Sequence, residues 1–224
     1  MKKIVIALAG LALVVLAQPV MAQDTPMTFF ITSSGPGDGA NLGGLEGADA
    51  HCRMLAESAG TRGVEWHAYL SGMAADGSAA VNARDRIGAG PWHNAKGVMV
   101  ARGVADLHSE GVNLSKETQL NESGEVVNGR GDSPNRHDIL TGSNLDGTVF
   151  MAGDGYNNCL NWSGNGEGST RVGHHDRQGG GDNPESWNSA HGSRGCGQSD
   201  LQGTGGDGLY YCFGTAGRDD VFRP

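Results

Sequence analysis

Apolar and polar residues alternate between sharply different patterns along this chain of 224 residues. Ile4 to Ala17 is an unbroken apolar run of 14 residues, preceded by Lys2 and Lys3. Met27-Thr28-Phe29-Phe30-Ile31-Thr32 reads as a strand, ended by the turn residues Ser33-Ser34-Gly35-Pro36-Gly37. Leu45, Ala48, Cys52, Leu55, Ala56 and Ala59 then recur at three- and four-residue spacing, which predicts a helix with one apolar face. Glu46 and Asp49 fall in its first turns, where acids complement the helix dipole, and Gly60 stops it. Trp66 to Leu70 alternates as a strand does, Trp92 to Ala101 predicts another, and Val104 to His108 a single helical turn. Residues 110–147 are polar, with turn chemistry at Asn128-Gly129, Gly131-Asp132 and Asp146-Gly147. A short strand is expected at Cys159-Leu160-Asn161-Trp162 and an aromatic one at Leu209-Tyr210-Tyr211-Cys212-Phe213. Between them, 163–208 carries most of the glycine.

Composition narrows the class. The 39 glycines are about 17% of the chain against a usual value near 7%, yet no Gly-X-Y period marks a collagen rod. Four tryptophans and 37% hydrophobic residues argue against disorder. The expectation is a single domain over 23–224, with a short C-terminal tail from Gly214. The net charge is −9 and no basic run gathers Lys or Arg against phosphates, which excludes nucleic acid as a partner class. Residues 1–22 match a signal peptide, with Val20-Met21-Ala22 at the cleavage position before Gln23. Their apolar run is shorter than the roughly 20 residues a membrane span needs. A periplasmic or secreted product is expected, with no membrane span. Cys52, Cys159, Cys196 and Cys212 are then an even set in an oxidising compartment, and two disulfides are expected, in any of three pairings. A zinc site is the rival for these thiols, but no two form a Cys-x-x-Cys pair.

The order of elements carries a resemblance. Phe29-Phe30-Ile31-Thr32, the run from Gly43 to Cys52, Cys159-Leu160-Asn161-Trp162 and Leu209 to Phe213 together resemble the C-type lectin-like fold, and more closely its bacterial endostatin-like branch. His137-Asp138-Ile139-Leu140-Thr141-Gly142 and Gly173-His174-His175-Asp176 are similar to segments of secreted bacterial lectin-like proteins. The resemblance spans 27–213. It implies an α+β fold with short antiparallel strands, one main N-terminal helix and a long glycine-rich loop region. It also implies the pairing Cys52–Cys212 and Cys159–Cys196, and a ligand site on the long loop.

That loop region holds candidates for a sugar site. Asp176, Asp182, Asn183, Asn188 and His191 offer paired donors and acceptors for vicinal hydroxyls, and Trp187 an aromatic face for a sugar ring. Calcium is the cofactor such a resemblance suggests, but Asn183-Pro184-Glu185 and Trp187-Asn188-Ser189 depart from the Glu-Pro-Asn and Trp-Asn-Asp patterns of calcium-dependent sugar sites. Zinc is the other candidate, through His174, His175 and His191 with Asp176, although adjacent histidines on an extended strand point to opposite sides. No nucleophile elbow or His-Glu-x-x-His helix is present, and His137-Asp138 has no serine or cysteine beside it, so a non-catalytic module is expected. Its partners are then a glycan or, alternatively, an extracellular protein, as for an adhesin. Arg130-Gly131-Asp132-Ser133-Pro134 is an integrin-recognition sequence in a polar loop and belongs to that second reading.

Overall fold

The last strand organises the sheet. The computed structural model describes residues 25–74, 76–151 and 157–215, so the expected leader over 1–22 and the tail beyond Thr215 lie outside the described residues. Strand β10 (Gly206–Thr215) is ten residues long and pairs antiparallel with β1 (Phe29–Ile31) and with β2 (Glu65–Ala68). Its first half runs parallel to β7 (Asp138–Leu140), so the sheet is mixed where only antiparallel pairing was expected. Beyond β7 the sheet continues through β8 (Arg171–His174) to the edge strand β9 (His191–Gly192). Two separate hairpins complete the strands. One is β3 (Gly72–Met73) with β4 (Ala80–Val81), the other β5 (Trp92–His93) with β6 (Met99–Ala101). The expected single strand over 92–101 is this second hairpin, because Gly97 takes a positive φ of 72° and turns the chain back.

Both faces of the sheet are covered, which explains the unbroken apolar run of β10. Tyr210 and Cys212 point to one side, and Leu209, Tyr211 and Phe213 to the other. The first face packs against α1 (Gly44–Ser58), whose buried positions Ala48, Cys52, Leu55 and Ala56 are those of the apolar stripe. The second face packs against Trp92, Val100 and Leu107, from the β5–β6 hairpin and α3 (Val104–Leu107), and against Ile87 after α2 (Ala83–Arg86). Fully burying each of these large side chains contributes about 1.5–3 kcal/mol. Helix α5 (Gln198–Thr204) leads into β10 through Gly205.

The sulfurs pair as Cys52–Cys212 and Cys159–Cys196, at sequence separations of 160 and 37. In the chain-entropy account these loops contribute roughly 5 and 4 kcal/mol, as upper values. The first bridge ties α1 to β10. The second joins α4 (Asn158–Trp162) to the start of α5. Residues Cys159–Trp162 are no strand. All five residues of α4 take φ between 47° and 68°, a left-handed turn that costs roughly 1–2 kcal/mol per residue. Tertiary bonds hold it in place. Asn158 Nδ2 and Trp162 Nε1 both donate to Ser71 O, and Asn161 pairs through its carboxamide with both backbone groups of Met73. Gly214 and Thr215, expected in the tail, belong to β10.

Candidate functional site

The loop between β8 and β9, residues 175–190, turns across the second face of the sheet and carries two depressions. The first, about 440 Å³, is lined by His108, Glu110, Leu145, Arg177, Asp182, Asn183, Pro184, Glu185 and Trp187 among others. The second, about 480 Å³, is lined by Arg130, Asn135, His137, His174, Gly180, Gly181, His191 and Thr204. A smaller hollow bounded by Arg130, Arg177, Pro184 and Glu185 shares residues with both.

Several expected ligand groups serve the fold instead. Trp187 is 4% exposed, wedged between Tyr69, Tyr211 and His108 at ring-centroid distances of 4.8, 5.2 and 5.8 Å. It closes the floor of the first cleft and offers no open face for a sugar ring. Asn188 is buried, and its Nδ2 donates to Tyr69 Oη and to the carbonyls of Asn144 and Leu145. Asp176 is also buried and accepts from the backbone N–H groups of Arg130 and Gln178. Burial alone would raise its pKa; His137 and these N–H groups outweigh that and hold it far below the usual carboxylate range. These three side chains were legible as polar or aromatic loop residues. Their inward direction was not, because it depends on Tyr69, Asn144 and the segment at Arg130, all distant in sequence.

Asp182 and Asn183 do reach the first cleft, joined by Glu185, Arg177, His108 and Glu110. Asp182 is anchored by Arg171, whose Nη1 lies 2.7 Å from Asp182 Oδ2 and whose guanidinium carbon sits 4.6 Å from the centre of the Phe150 ring. Leu145, 54% exposed, supplies the apolar wall that Trp187 does not. His191 lies in the second cleft, away from Trp187.

Three imidazoles and one carboxylate meet beneath that second cleft. The Nε2 atoms of His137, His174 and His191 lie 3.2, 3.4 and 3.4 Å from Asp138 Oδ1. β7 brings Asp138 opposite His174 of β8, and β9 adds His191. Asp138 and His174 are 2% and 0% exposed. His175 takes no part. Pleat alternation turns it away, its Nε2 faces Asn128 O at 3.1 Å, and burial lowers its pKa. Among the described residues, His137, Asp138 and His174 are the set of three whose ligand atoms lie within 4.8 Å of one another. A nitrogen-rich set of this kind does not suit calcium, which takes oxygen ligands. The sequence signal for this cluster was His137-Asp138 itself, but no periodicity links it to 174 and 191.

The Arg-Gly-Asp loop is partly tied down. Arg130 is exposed, while Asp132 binds Lys116 Nζ and accepts from Gly129 N at 2.8 Å. No helix among the described residues is long and apolar enough to cross a membrane. No family model and no curated protein matches the chain.

Proposed function

We propose that the protein is an exported, C-type lectin-like binding module without catalytic machinery that takes a glycan in the cleft beside Leu145. The cleft itself carries this reading. It combines an apolar wall, Leu145 and Pro184, with a rim of carboxylate, carboxamide and guanidinium groups from Asp182, Asn183, Glu185 and Arg177. A sugar ring presents the same two characters, C–H faces and vicinal hydroxyls. The adjoining hollow toward Arg130 suits a ligand longer than one ring. Support for the fold assignment comes from the first and last strands lying side by side, and from the disulfide joining α1 to β10. Two disulfides fit an oxidising compartment, and the leader-like residues 1–22 fit export.

A glycan array followed by calorimetric titration of the best hit tests the reading. Asn183→Ala and Glu185→Ala are expected to weaken that hit at least tenfold with an unchanged melting temperature. A blank array, or hits indifferent to both substitutions, overturns it. Binding to matrix proteins by a glycan-blind sample would favour the protein-binding alternative.

A further inference from the structure

We propose that His137, Asp138 and His174 form the core of a binding site for one divalent transition ion, with zinc the best fit and His191 beside it at the rim. The inference stands whether or not the neighbouring cleft takes a glycan.

The hydrogen bonds on the far side of each ring decide which nitrogen carries hydrogen. His137 Nδ1 lies 3.0 Å from Gln178 O, His174 Nδ1 2.7 Å from Pro184 O, and His191 Nδ1 3.0 Å from Gly192 O. A carbonyl oxygen can only accept, so each Nδ1 is the donor. In a neutral imidazole the proton is then used, and Nε2 presents a lone pair. All three lone pairs converge on a carboxylate, which is also an acceptor. Neither oxygen of Asp138, nor Nε2 of His174, finds a hydrogen-bond partner among the described residues, and all three atoms are buried. A buried acceptor left in this way has given up its hydration for nothing, and acceptors facing one another repel as well. Something positive belongs between them.

Protons and a metal ion are the two choices. Protonating every ring would place three imidazolium charges around one carboxylate in a buried site. His137 and His174 are stacked with their planes 5° apart and centroids at 4.4 Å, so two of those charges would lie face to face. One divalent ion satisfies the acceptors of His137, Asp138 and His174 at once. The spacing agrees with this. Ligands at 2.0–2.1 Å around a tetrahedral zinc are separated by about 3.3 Å, close to the 3.2 and 3.4 Å between Asp138 Oδ1 and the Nε2 atoms of His137 and His174. Backbone carbonyls behind each ring are the usual support of metal-bound histidine, fixing tautomer and ring direction. The three imidazoles also line the second cleft, which provides an entry path and room for an exogenous ligand near Arg130.

The test uses the full exported protein without a polyhistidine tag, stripped with a chelator and titrated with zinc by calorimetry and elemental analysis. One equivalent is expected to bind, with a rise in melting temperature. Cobalt(II) is expected to give visible absorption of a low-coordinate nitrogen–oxygen site, and calcium no binding. His191→Ala, at a half-buried rim position, should weaken zinc at least tenfold, while His51→Ala, half-buried on α1 beside Ser34 and Tyr210, should leave it unchanged. Failure to bind one equivalent overturns the proposal, and so does wild-type affinity in the His191 variant. Because the readouts are binding and absorption, they hold even where no glycan is found.

Discussion

Gly173 is where a single methyl group should do the most damage. It lies in β8, directly beneath the loop that carries both clefts. A Cβ at this position would stand 1.8 Å from Trp187 O, 2.2 Å from Trp187 C and 2.5 Å from Asn188 N. Ordinary contact begins near 3.4 Å, so the Trp187–Asn188 backbone would have to retreat by roughly 1.5 Å. That movement pulls on three hydrogen bonds: His174 N to Ser186 O at 2.8 Å, Ala190 N to Val172 O at 2.7 Å and Tyr211 Oη to Trp187 O at 2.8 Å. Weakening two of these costs about 1 kcal/mol each, and overpacking adds about 1–3. Gly173→Ala should therefore destabilise by about 3–5 kcal/mol. At roughly 2–4 °C per kcal/mol for a chain of this size, the melting temperature falls by about 6–20 °C. Circular dichroism melts of both proteins under non-reducing conditions measure the shift. Gly166→Ala serves as the control, because nothing lies within 4 Å of its added Cβ. A Gly173→Ala melt within about 2 °C of wild type would refute the close approach of strand and loop.

Two further outcomes follow from the same packing. Asn188→Ala should cost about 2–4 kcal/mol by leaving Tyr69 Oη and two carbonyls short of a donor, yet any glycan hit should keep its affinity in the folded fraction; lost affinity at unchanged stability would return Asn188 to the ligand site. His108 supplies a pH dependence: burial lowers its folded pKa, so the unfolded chain takes up the proton first as pH falls. Its contribution is complete above the unfolded pKa of about 6.5 and is lost below it. The wild type should then lose more stability between pH 7.5 and 5.5 than His108→Gln does, and parallel losses would rule out His108 as a source.

Much of the α1–β10 half of the protein was legible in the sequence. Three- and four-residue spacing from Leu45 to Ala59 specified a helix with Cys52 inward, since a helix of that amphipathicity has one face to bury. The aromatic run from Leu209 to Phe213 announced a strand, and four cysteines behind a leader-like segment announced disulfides. The notion of a ligand region on the glycine-rich loop came from the resemblance to the C-type lectin-like fold. Of the residues expected there, Asp182 and Asn183 reach the first cleft, while the side chains of Trp187, Asn188 and Asp176 are buried.

What the chain could not show is direction. Cys159 to Trp162 has strand-like composition, yet bonds to Ser71 and Met73, some 90 positions earlier, hold it left-handed. Trp187 faces inward because Tyr69 and Tyr211 leave an aromatic slot there. His137-Asp138, His174 and His191 are separated by polar loops in the sequence and become neighbours only because β7, β8 and β9 are adjacent in one sheet. Local periodicity decides which residues are buried, since it acts within one turn or one pleat. Which buried residues meet is decided by strand order and register, and those depend on contacts across the whole chain.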